Sequence, residues 1–352
     1  MLELKALLIL CVSLIMTVLT VYAEPYNHDG AFEMPLVGST GWTARAAGEP
    51  LRTAPNNNAP ITKSLPHGTG FVILREAGAF WYVRLGNDTT GYVRHRYAFI
   101  NLPDIMQSME FDITNATASA MRTHGQEIEG VTGQQLYSAK AFNHRLGRYE
   151  YIVPILYATA HRLMNAQNAA LADGNTIIMY EAFRPFATQV QVYSSITQAQ
   201  RGLFSYPWTF GWFLSTPNPR VFPLAENVNP ARVSNHQRGT AVDVGLRRVD
   251  GEVFVMPTEI HELSAEARVT SRPGQNSRTQ RADSFSASEG AALLQSYLVG
   301  AGFTPLISEW WHFDDFGSRA SILGGATLVI NGNFFTPTVY SLPVNYVLLI
   351  KQ

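Results

Sequence analysis

The sequence contains a single cysteine, Cys11, and this feature limits how the chain can be held together. One cysteine cannot form an internal disulfide framework or a CxxC zinc or redox site, so the fold must rest on an apolar core. The 352 residues are 46% apolar and 15% charged, which suits a globular protein of one or two domains. The 22 arginines and four lysines are scattered, and the net charge is −1. This pattern lacks the basic stripe that a nucleic-acid-binding protein needs.

The N-terminus has the layout of a secretory signal peptide, which we predict over residues 1–23. Glu3 and Lys5 precede an apolar run that ends in a small residue, Ala23. The alternative is an uncleaved membrane anchor, for which this run is slightly short. Cleavage after Ala23 would remove Cys11 and leave a secreted protein. We expect no transmembrane segment in the mature chain.

Residues 38–103 contain short strand-like segments separated by turns, which predicts a small β-barrel. Segments 71–74, 81–85 and 90–93 follow a strong turn signal at 54–58. This stretch resembles the bacterial SH3-like domain through the letters LRxxP from position 51, GTG from 68, WYV from 81 and GYVxxxY from 91. The resemblance implies a module that targets the cell wall, and with the signal peptide it implies a protein of the bacterial cell envelope, in the periplasm or the cell wall. A barrel that only packs against its neighbour is the alternative.

The rest of the chain mixes helices and strands without a repeated βαβ period, which predicts an α+β fold. We interpret the polar stretch 104–125 as a linker, residues 126–317 as the catalytic domain and residues 318–352 as a β-rich extension. The expected elements are a helix at 149–172, a strand at 176–180, a helix from Pro185, a helix at 286–299 and a hairpin at 328–332.

The sequence excludes several nucleophilic mechanisms. No cysteine would remain after export, and no G-x-S-x-G elbow occurs. None of the four lysines follows a serine at the Ser-x-x-Lys spacing of the penicillin-binding enzymes. His261 and Glu262 begin like a zincin signature, but position 265 is alanine, so that motif is also incomplete.

Two short motifs remain as candidates for metal chemistry. Residues 234–243, SNHQRGTAVD, carry His236 and Asp243, and residues 309–312, EWWH, carry a glutamate and a second histidine. Two histidines and one aspartate can form a three-ligand zinc site with one position open for water, whose pKa the metal lowers to ~7. A neighbouring glutamate can take the water's proton and pass it to the leaving amine. Each motif alone could instead be structural, as a hydrogen-bonded histidine or a buried pair under the tryptophans.

The spacing within the second motif sets a structural condition. Glu309 and His312 are three residues apart, which places them on one face of a helix but on opposite sides of a flat strand. If this segment is a strand, a bend or bulge must turn one of the two side chains toward the other.

The two motifs in this order, with EAFRP at 181–185 upstream, resemble the zinc D-alanyl-D-alanine dipeptidases and carboxypeptidases of the vancomycin-resistance type. The family pattern is S-x-H-x-x-G-x-A-x-D followed by E-x-W-H, and the chain matches every fixed position. The resemblance implies a Hedgehog/D-Ala-D-Ala-peptidase-like fold with these roles: His236, Asp243 and His312 bind Zn²⁺, Glu309 is the general base, Arg184 steadies the substrate carbonyl, and Ser234 lies near the substrate. Alternatively, Arg184 only pairs with Glu181, and Ser234 only shapes the turn.

The resemblance implies hydrolysis of D-Ala-D-Ala bonds in peptidoglycan or in its D-Ala-D-Ala-terminated peptides. Segments 255–258, 262–264 and 286–303 resemble the dipeptidase branch more than the carboxypeptidase branch, although Pro257 replaces a glycine there. A wall-binding module fits a polymeric stem peptide better than a free dipeptide. Two alternatives stay open: an endopeptidase that cuts elsewhere in the stem peptide, and a non-catalytic protein that binds cell wall or metal.

Overall fold

The computed structural model describes residues 32–45, 47–195, 234–264, 266–269, 288–306 and 308–323. The expected signal peptide with Cys11 and the expected hairpin at 328–332 lie outside these residues. Among the helices of the described part, none is both long and apolar enough to cross a membrane.

The N-terminal part of the described chain forms an eight-stranded, fully antiparallel sheet. Its strands are β1 (Thr40–Thr43), β2 (Glu49–Arg52), β3 (Ile61–Leu65), β4 (Gly70–Ala77), β5 (Phe80–Leu85), β6 (Thr90–Arg94), β7 (Ala98–Asn101) and β13 (Pro154–Leu156). They lie in the order β13-β7-β1-β4-β5-β6-β2-β3. The three expected strands are therefore present as β4, β5 and β6. The edge strand β13 comes from beyond the predicted range, and the likeness to an SH3-like domain stays a prediction.

The alternation expected for a half-buried strand is clearest in β5. Trp81, Val83 and Leu85 are buried, whereas Tyr82 and Arg84 between them are partly exposed. Trp81 packs edge-on against Tyr157, with ring centroids 4.7 Å apart. Because Tyr157 lies outside the predicted barrel, the apolar face of this sheet packs directly against the following part of the chain.

The predicted linker at 104–125 is instead packed and partly regular. It contains the short strands β8 (Glu110–Phe111) and β9 (Arg122–Thr123) and a 3₁₀ turn at Thr114–Ala116. Six of its apolar side chains are almost completely buried, namely Ile105, Met106, Met109, Ile113, Ala116 and Met121. These scattered Ile and Met residues show no helical or strand period, so the sequence pattern indicated a polar bridge.

A second sheet carries the two candidate motifs. It has five strands in the order β17-β18-β15-β14-β8. These comprise β8 together with β14 (Asn175–Glu181), β15 (Ala241–Arg248), β17 (Thr304–Leu306) and β18 (Glu309–Asp314). Strand β15 is central and pairs antiparallel with both β14 and β18, while β8 joins β14 in parallel. The structure therefore combines this mixed sheet with helices, as expected for an α+β fold.

Four helices and two small β-units complete the described chain. The helices are α1 (Tyr157–Ala172), α2 (Phe186–Ser195), α3 (Glu289–Gly300) and α4 (Phe316–Leu323). The two-stranded unit pairs β11 (Lys140–Asn143) with β12 (Arg148–Tyr151), and the three-stranded unit joins β9 to β10 (Gln126–Glu127) and β16 (Glu262–Leu263).

Two predicted helix starts and one predicted β-rich segment need adjustment. The helix expected from residue 149 starts at Tyr157, because β12 and β13 occupy its first residues. Helix α3 starts at Glu289, and its N-cap Ser288 accepts a hydrogen bond from the amide of Ala291. Residues 318–323 of the predicted β-rich extension lie in α4, and the rest of that extension is outside the described residues.

Candidate metal centre

Three elements bring the predicted ligands together. His236 begins a 3₁₀ turn, His236–Arg238, which ends at Gly239 in the left-handed conformation with φ 62°. Asp243 lies on β15 directly opposite His312 on β18. Oδ1 of Asp243 is 2.9 Å from Nδ1 of His312 and 3.3 Å from Nε2 of His236, and the two nitrogens are 3.2 Å apart. The three ligand atoms thus form a small, nearly regular triangle.

This triangle fits a tetrahedral zinc ion. Zinc bonds of about 2.0–2.1 Å at tetrahedral angles place neighbouring ligand atoms about 3.3 Å apart. Two imidazole nitrogens and one carboxylate oxygen are ligands that zinc prefers, and three protein ligands leave a fourth position for water or substrate. All three residues are buried or nearly so, which keeps competing water away from the ligand atoms.

Hydrogen bonds behind the two histidines hold their rings. Nδ1 of His236 is 2.7 Å from the carbonyl oxygen of Ala182, and Nε2 of His312 is 3.2 Å from Oδ1 of Asp314. Asp314 also accepts a 2.8 Å hydrogen bond from the side chain of Asn235. Because these oxygens accept hydrogen bonds from one ring nitrogen, the opposite nitrogen of each histidine would offer its lone pair to a bound metal.

Asp243 is surrounded by donors on its other oxygen. Oδ2 lies 3.0 Å from Nε2 of His261 and accepts a 3.0 Å hydrogen bond from Nη2 of Arg184. Burial alone would raise the pKa of Asp243, but the charge of His236 and the hydrogen bonds of the surrounding histidines hold it well below its usual range. Asp243 is thus an anion at neutral pH, as a metal ligand must be.

Arg184 lies beneath the ligand set and is only 3% exposed. Its Nε donates to Glu181 Oε2 at 2.6 Å, and its Nη1 donates to Gln189 Oε1 at 3.0 Å. Burial lowers the pKa of the guanidinium, but Glu181 and Asp243 outweigh this effect and raise the pKa. The structure therefore contains the Arg184–Glu181 pair of the structural alternative, and it also connects Arg184 to a candidate ligand.

Glu309 starts strand β18, and an irregularity in that strand meets the condition set by the sequence. Pro305 and Leu306 are neighbours on β17. Their partners on β18 are Phe313 and Glu309, which are separated by three residues, so β18 contains a bulge. The carboxyl of Glu309 is 4% exposed, and its Oε1 has no hydrogen-bond partner among the described residues. Burial raises the pKa of Glu309 to about 8.

Ser234 takes part in the turn that carries His236. Its hydroxyl oxygen accepts a 3.3 Å hydrogen bond from the backbone N–H of His236, and its own N–H donates to the side chain of Gln237. These contacts match the turn-shaping alternative for Ser234.

His261 belongs to the site, although sequence reasoning considered it only as part of an incomplete zincin motif. It is fully buried and contacts Asp243 from 18 positions further along the chain. One weak signal preceded it, namely that His261 lies between segments that resemble the dipeptidase branch. No local spacing connects it to the two metal motifs.

The fold and the site together define a candidate His₂Asp metal centre with a buried glutamate nearby, built on a 3₁₀ turn and two antiparallel strands. Residues 213–323 match the Peptidase M15 family, described as D-ala-D-ala dipeptidase. This range contains the three candidate ligands and Glu309, but not Arg184.

Two known proteins are similar to parts of the chain. The D-alanyl-D-alanine dipeptidase of Escherichia coli is 26% identical over 155 residues, which cover 43% of this chain and 61% of the relative. The crystal structure of the vancomycin-resistance D,D-pentapeptidase VanY of a VanB-type resistance cassette, in complex with Zn(II), has 14% identity and a TM-score of 0.26. That alignment covers 67% of this chain and 99% of the other.

Proposed function

We propose that this protein is a secreted zinc metallopeptidase that hydrolyses D-Ala-D-Ala bonds of peptidoglycan precursors or stem peptides. The observation that carries the proposal is the triangle of His236, Asp243 and His312 with Glu309 nearby, whose Oε1 has no hydrogen-bond partner among the described residues. The family match over residues 213–323 and the dipeptidase relative support the choice of substrate. Export rests on the signal-peptide pattern at 1–23.

The proposed roles follow from the contacts of each residue. A bound zinc ion would supply a water of lowered pKa and polarise the scissile carbonyl. His236, Asp243 and His312 hold that ion, and the oxygens behind the two histidines fix their ring orientation. Glu309 would take the proton of the attacking water on Oε1, which has no partner within the described ranges, and would then give it to the leaving amine. Burial raises the pKa of Glu309 to about 8 in the metal-free chain, and a bound zinc cation would lower it toward the neutral range in which a group can both take and give a proton.

Arg184 is the proposed stabiliser of the carbonyl oxygen as negative charge develops on it. A guanidinium has five N–H donors, and the contacts to Glu181, Gln189 and Asp243 leave one N–H of Nη1 without an acceptor among the described residues. A fixed cation directed at developing charge is a large catalytic contribution. For Ser234 we propose a place at the edge of the substrate site in addition to its turn contacts.

Two substrate classes remain within the proposal. The dipeptidase name of the family and of the relative favours free D-Ala-D-Ala. The N-terminal sheet, if it is the wall-binding module that its sequence predicts, favours a stem peptide or intact peptidoglycan. Cleavage at another bond of the stem peptide would indicate an endopeptidase.

One experiment separates these substrates. The full mature chain, loaded with Zn²⁺, is incubated with free D-Ala-D-Ala, with a stem pentapeptide and with whole peptidoglycan, and the products are identified by mass spectrometry. We expect release of D-alanine, loss of activity with a chelator and recovery on adding Zn²⁺.

The matched control is Glu309→Gln, which has nearly the same shape but cannot accept the proton. We expect its turnover to fall by roughly 10²–10⁴-fold, the usual contribution of general acid–base catalysis, while zinc binding persists. Unchanged turnover in this variant would contradict the proposed mechanism.

A further inference from the structure

His261 occupies an unusual backbone position in the described chain. It precedes strand β16, is fully buried and has a φ of 60°. Side chains with a β-carbon disfavour this left-handed region, although histidine enters it more readily than most residues. A non-glycine residue in this conformation at a candidate site suggests that its side chain is held there for a purpose.

The imidazole has two polar contacts that define one tautomer. Nε2 is 3.0 Å from Oδ2 of Asp243, and Nδ1 is 3.4 Å from the hydroxyl oxygen of Thr114. The Asp243 carboxylate is anionic and can only accept, so Nε2 carries the donated proton. Nδ1 then accepts from the Thr114 hydroxyl, and the edge-on ring of Trp311, 5.8 Å away, supports the imidazole from the side.

The two oxygens of Asp243 have different partners. Oδ1 lies with the nitrogens of His236 and His312. Oδ2 accepts hydrogen bonds from His261 and Arg184 and points away from that triangle. A carboxylate whose second oxygen is saturated in this way can bind a metal through one oxygen only.

The same residues do not form a second metal site. Glu181, Asp243 and His261 do offer ligand atoms that lie within 4.8 Å of one another. However, the guanidinium of Arg184 already donates hydrogen bonds to both carboxylates of this group. Because the guanidinium cation already binds both carboxylates, a metal ion is disfavoured there. His261 therefore acts on Asp243 as a hydrogen-bond donor.

We infer that His261 is a positioning residue that makes Asp243 a one-oxygen ligand and so preserves the open fourth position of the metal centre. The inference rests on the zinc site of the proposed function and deepens it. Residues that orient ligands in this way contribute about 10–100-fold to metal affinity.

The test compares two substitutions at this position in the full mature chain. His261→Leu fills the space but removes the donor, whereas His261→Gln keeps an N–H donor at similar reach. Zn²⁺ affinity is measured by competition with a chelator, and Co²⁺ is substituted to record its visible absorption, which weakens when a fifth ligand atom joins a tetrahedral site. We expect about 10–100-fold weaker Zn²⁺ binding and weaker Co²⁺ absorption for His261→Leu, and values close to wild type for His261→Gln.

His95→Leu is the matched control, since His95 is also buried and its Nε2 lies 3.0 Å from the carbonyl oxygen of Gly78, away from the metal centre. It should lower thermal stability but leave Zn²⁺ affinity unchanged. If His261→Leu does not fold, Thr114→Val provides the second measurement, because it removes the hydroxyl that fixes the tautomer of His261. Thr114→Val should weaken Zn²⁺ binding several-fold.

Unchanged Zn²⁺ affinity and an unchanged Co²⁺ spectrum in His261→Leu, or in Thr114→Val if the former is unfolded, would overturn the inference. A wild-type protein that binds Zn²⁺ but cleaves no D-Ala-D-Ala substrate would remove the proposed activity and leave the role of His261 intact. A wild-type protein that binds no Zn²⁺ would overturn both.

Discussion

Glu309 lies almost fully buried without a hydrogen-bond partner for Oε1 among the described residues, and burial raises its pKa to about 8. In the unfolded chain a glutamate loses its proton near pH 4.5. Between these two pH values the folded metal-free protein holds a proton that the unfolded chain has lost. The contribution of Glu309 to the free energy of unfolding therefore falls as the pH rises through this window.

We predict that Glu309→Gln removes this pH dependence. At about 1.4 kcal/mol for each pKa unit, a rise from 4.5 to about 8 means that the free energy of unfolding of the metal-free variant should exceed that of the wild type by up to about 5 kcal/mol at pH 9. The two proteins should have similar stabilities near pH 4. Urea denaturation of both metal-free proteins across this range provides the measurement. A constant difference at every pH would show that the carboxyl is already ionised in the fold.

At the level of single residues, the sequence could predict the candidate site residues that lie in short motifs. His236, Asp243, Glu309 and His312 lie in two local patterns, and the structure brings the three ligands within 3.3 Å of one another. The contact of His261 with Asp243 joins different elements, so no spacing in the sequence could indicate it.

The turn that carries His236 depends on one glycine. Gly239 has φ 62°, and a β-carbon there would lie 2.4 Å from a ring carbon of Phe99 on β7 and 2.9 Å from the backbone nitrogen of Leu156. Both distances are too short for real contacts, and a backbone atom cannot move aside as a flexible side chain can. The turn therefore has to be closed by a residue without a side chain.

We predict that Gly239→Ala destabilises the protein by more than the backbone cost alone and weakens Zn²⁺ binding because the turn with His236 shifts. Gly147→Ala is the matched control, since Gly147 has φ 67° and nothing within 4 Å of the added carbon. The control should cost only about 1–2 kcal/mol, the price of a left-handed alanine. Thermal unfolding and Zn²⁺ titration of both variants provide the comparison. Equal losses would mean that Phe99 moves aside freely.

At the level of elements, long buried strands were easier to predict than boundaries and pairings. Strand β14 matches its predicted range closely, because its run of Ile177, Ile178 and Met179 is continuously apolar. The start of α1 was misplaced by eight residues, because β12 and β13 carry apolar residues at spacings that a helix would also allow. The sequence predicts the bulge in β18 only if residues 309–312 form a strand. Periodicity alone cannot show which strand of a sheet contains a bulge.

Over the whole described chain, the N-terminal sheet and the sheet with the metal centre share one apolar core. Phe71 on β4 and Leu294 on α3 are both completely buried within it. A shared core transmits a loss of packing from one sheet to the other, so the two parts should unfold together. The predicted boundary near residue 103 marks a change of sheet rather than a gap between two cores.

We predict that Phe71→Ala and Leu294→Ala shift the same calorimetric transition. Each should cost about 2–5 kcal/mol, as large-to-small substitutions in a core do. The measurement is differential scanning calorimetry of the two variants and of the double variant. Two separate transitions, each sensitive to only one substitution, would contradict a shared core.

The pairing of β13 with β7 has a consequence for biosynthesis. A ribosome delivers the chain from its N-terminus, so β1 to β7 emerge well before residues 154–156, which supply the last edge strand. During that interval the outer edge of β7 offers unpaired backbone N–H and C=O groups to any neighbouring polypeptide. A nascent chain stalled between residues 101 and 154 is therefore the form of this protein with the greatest need of a chaperone.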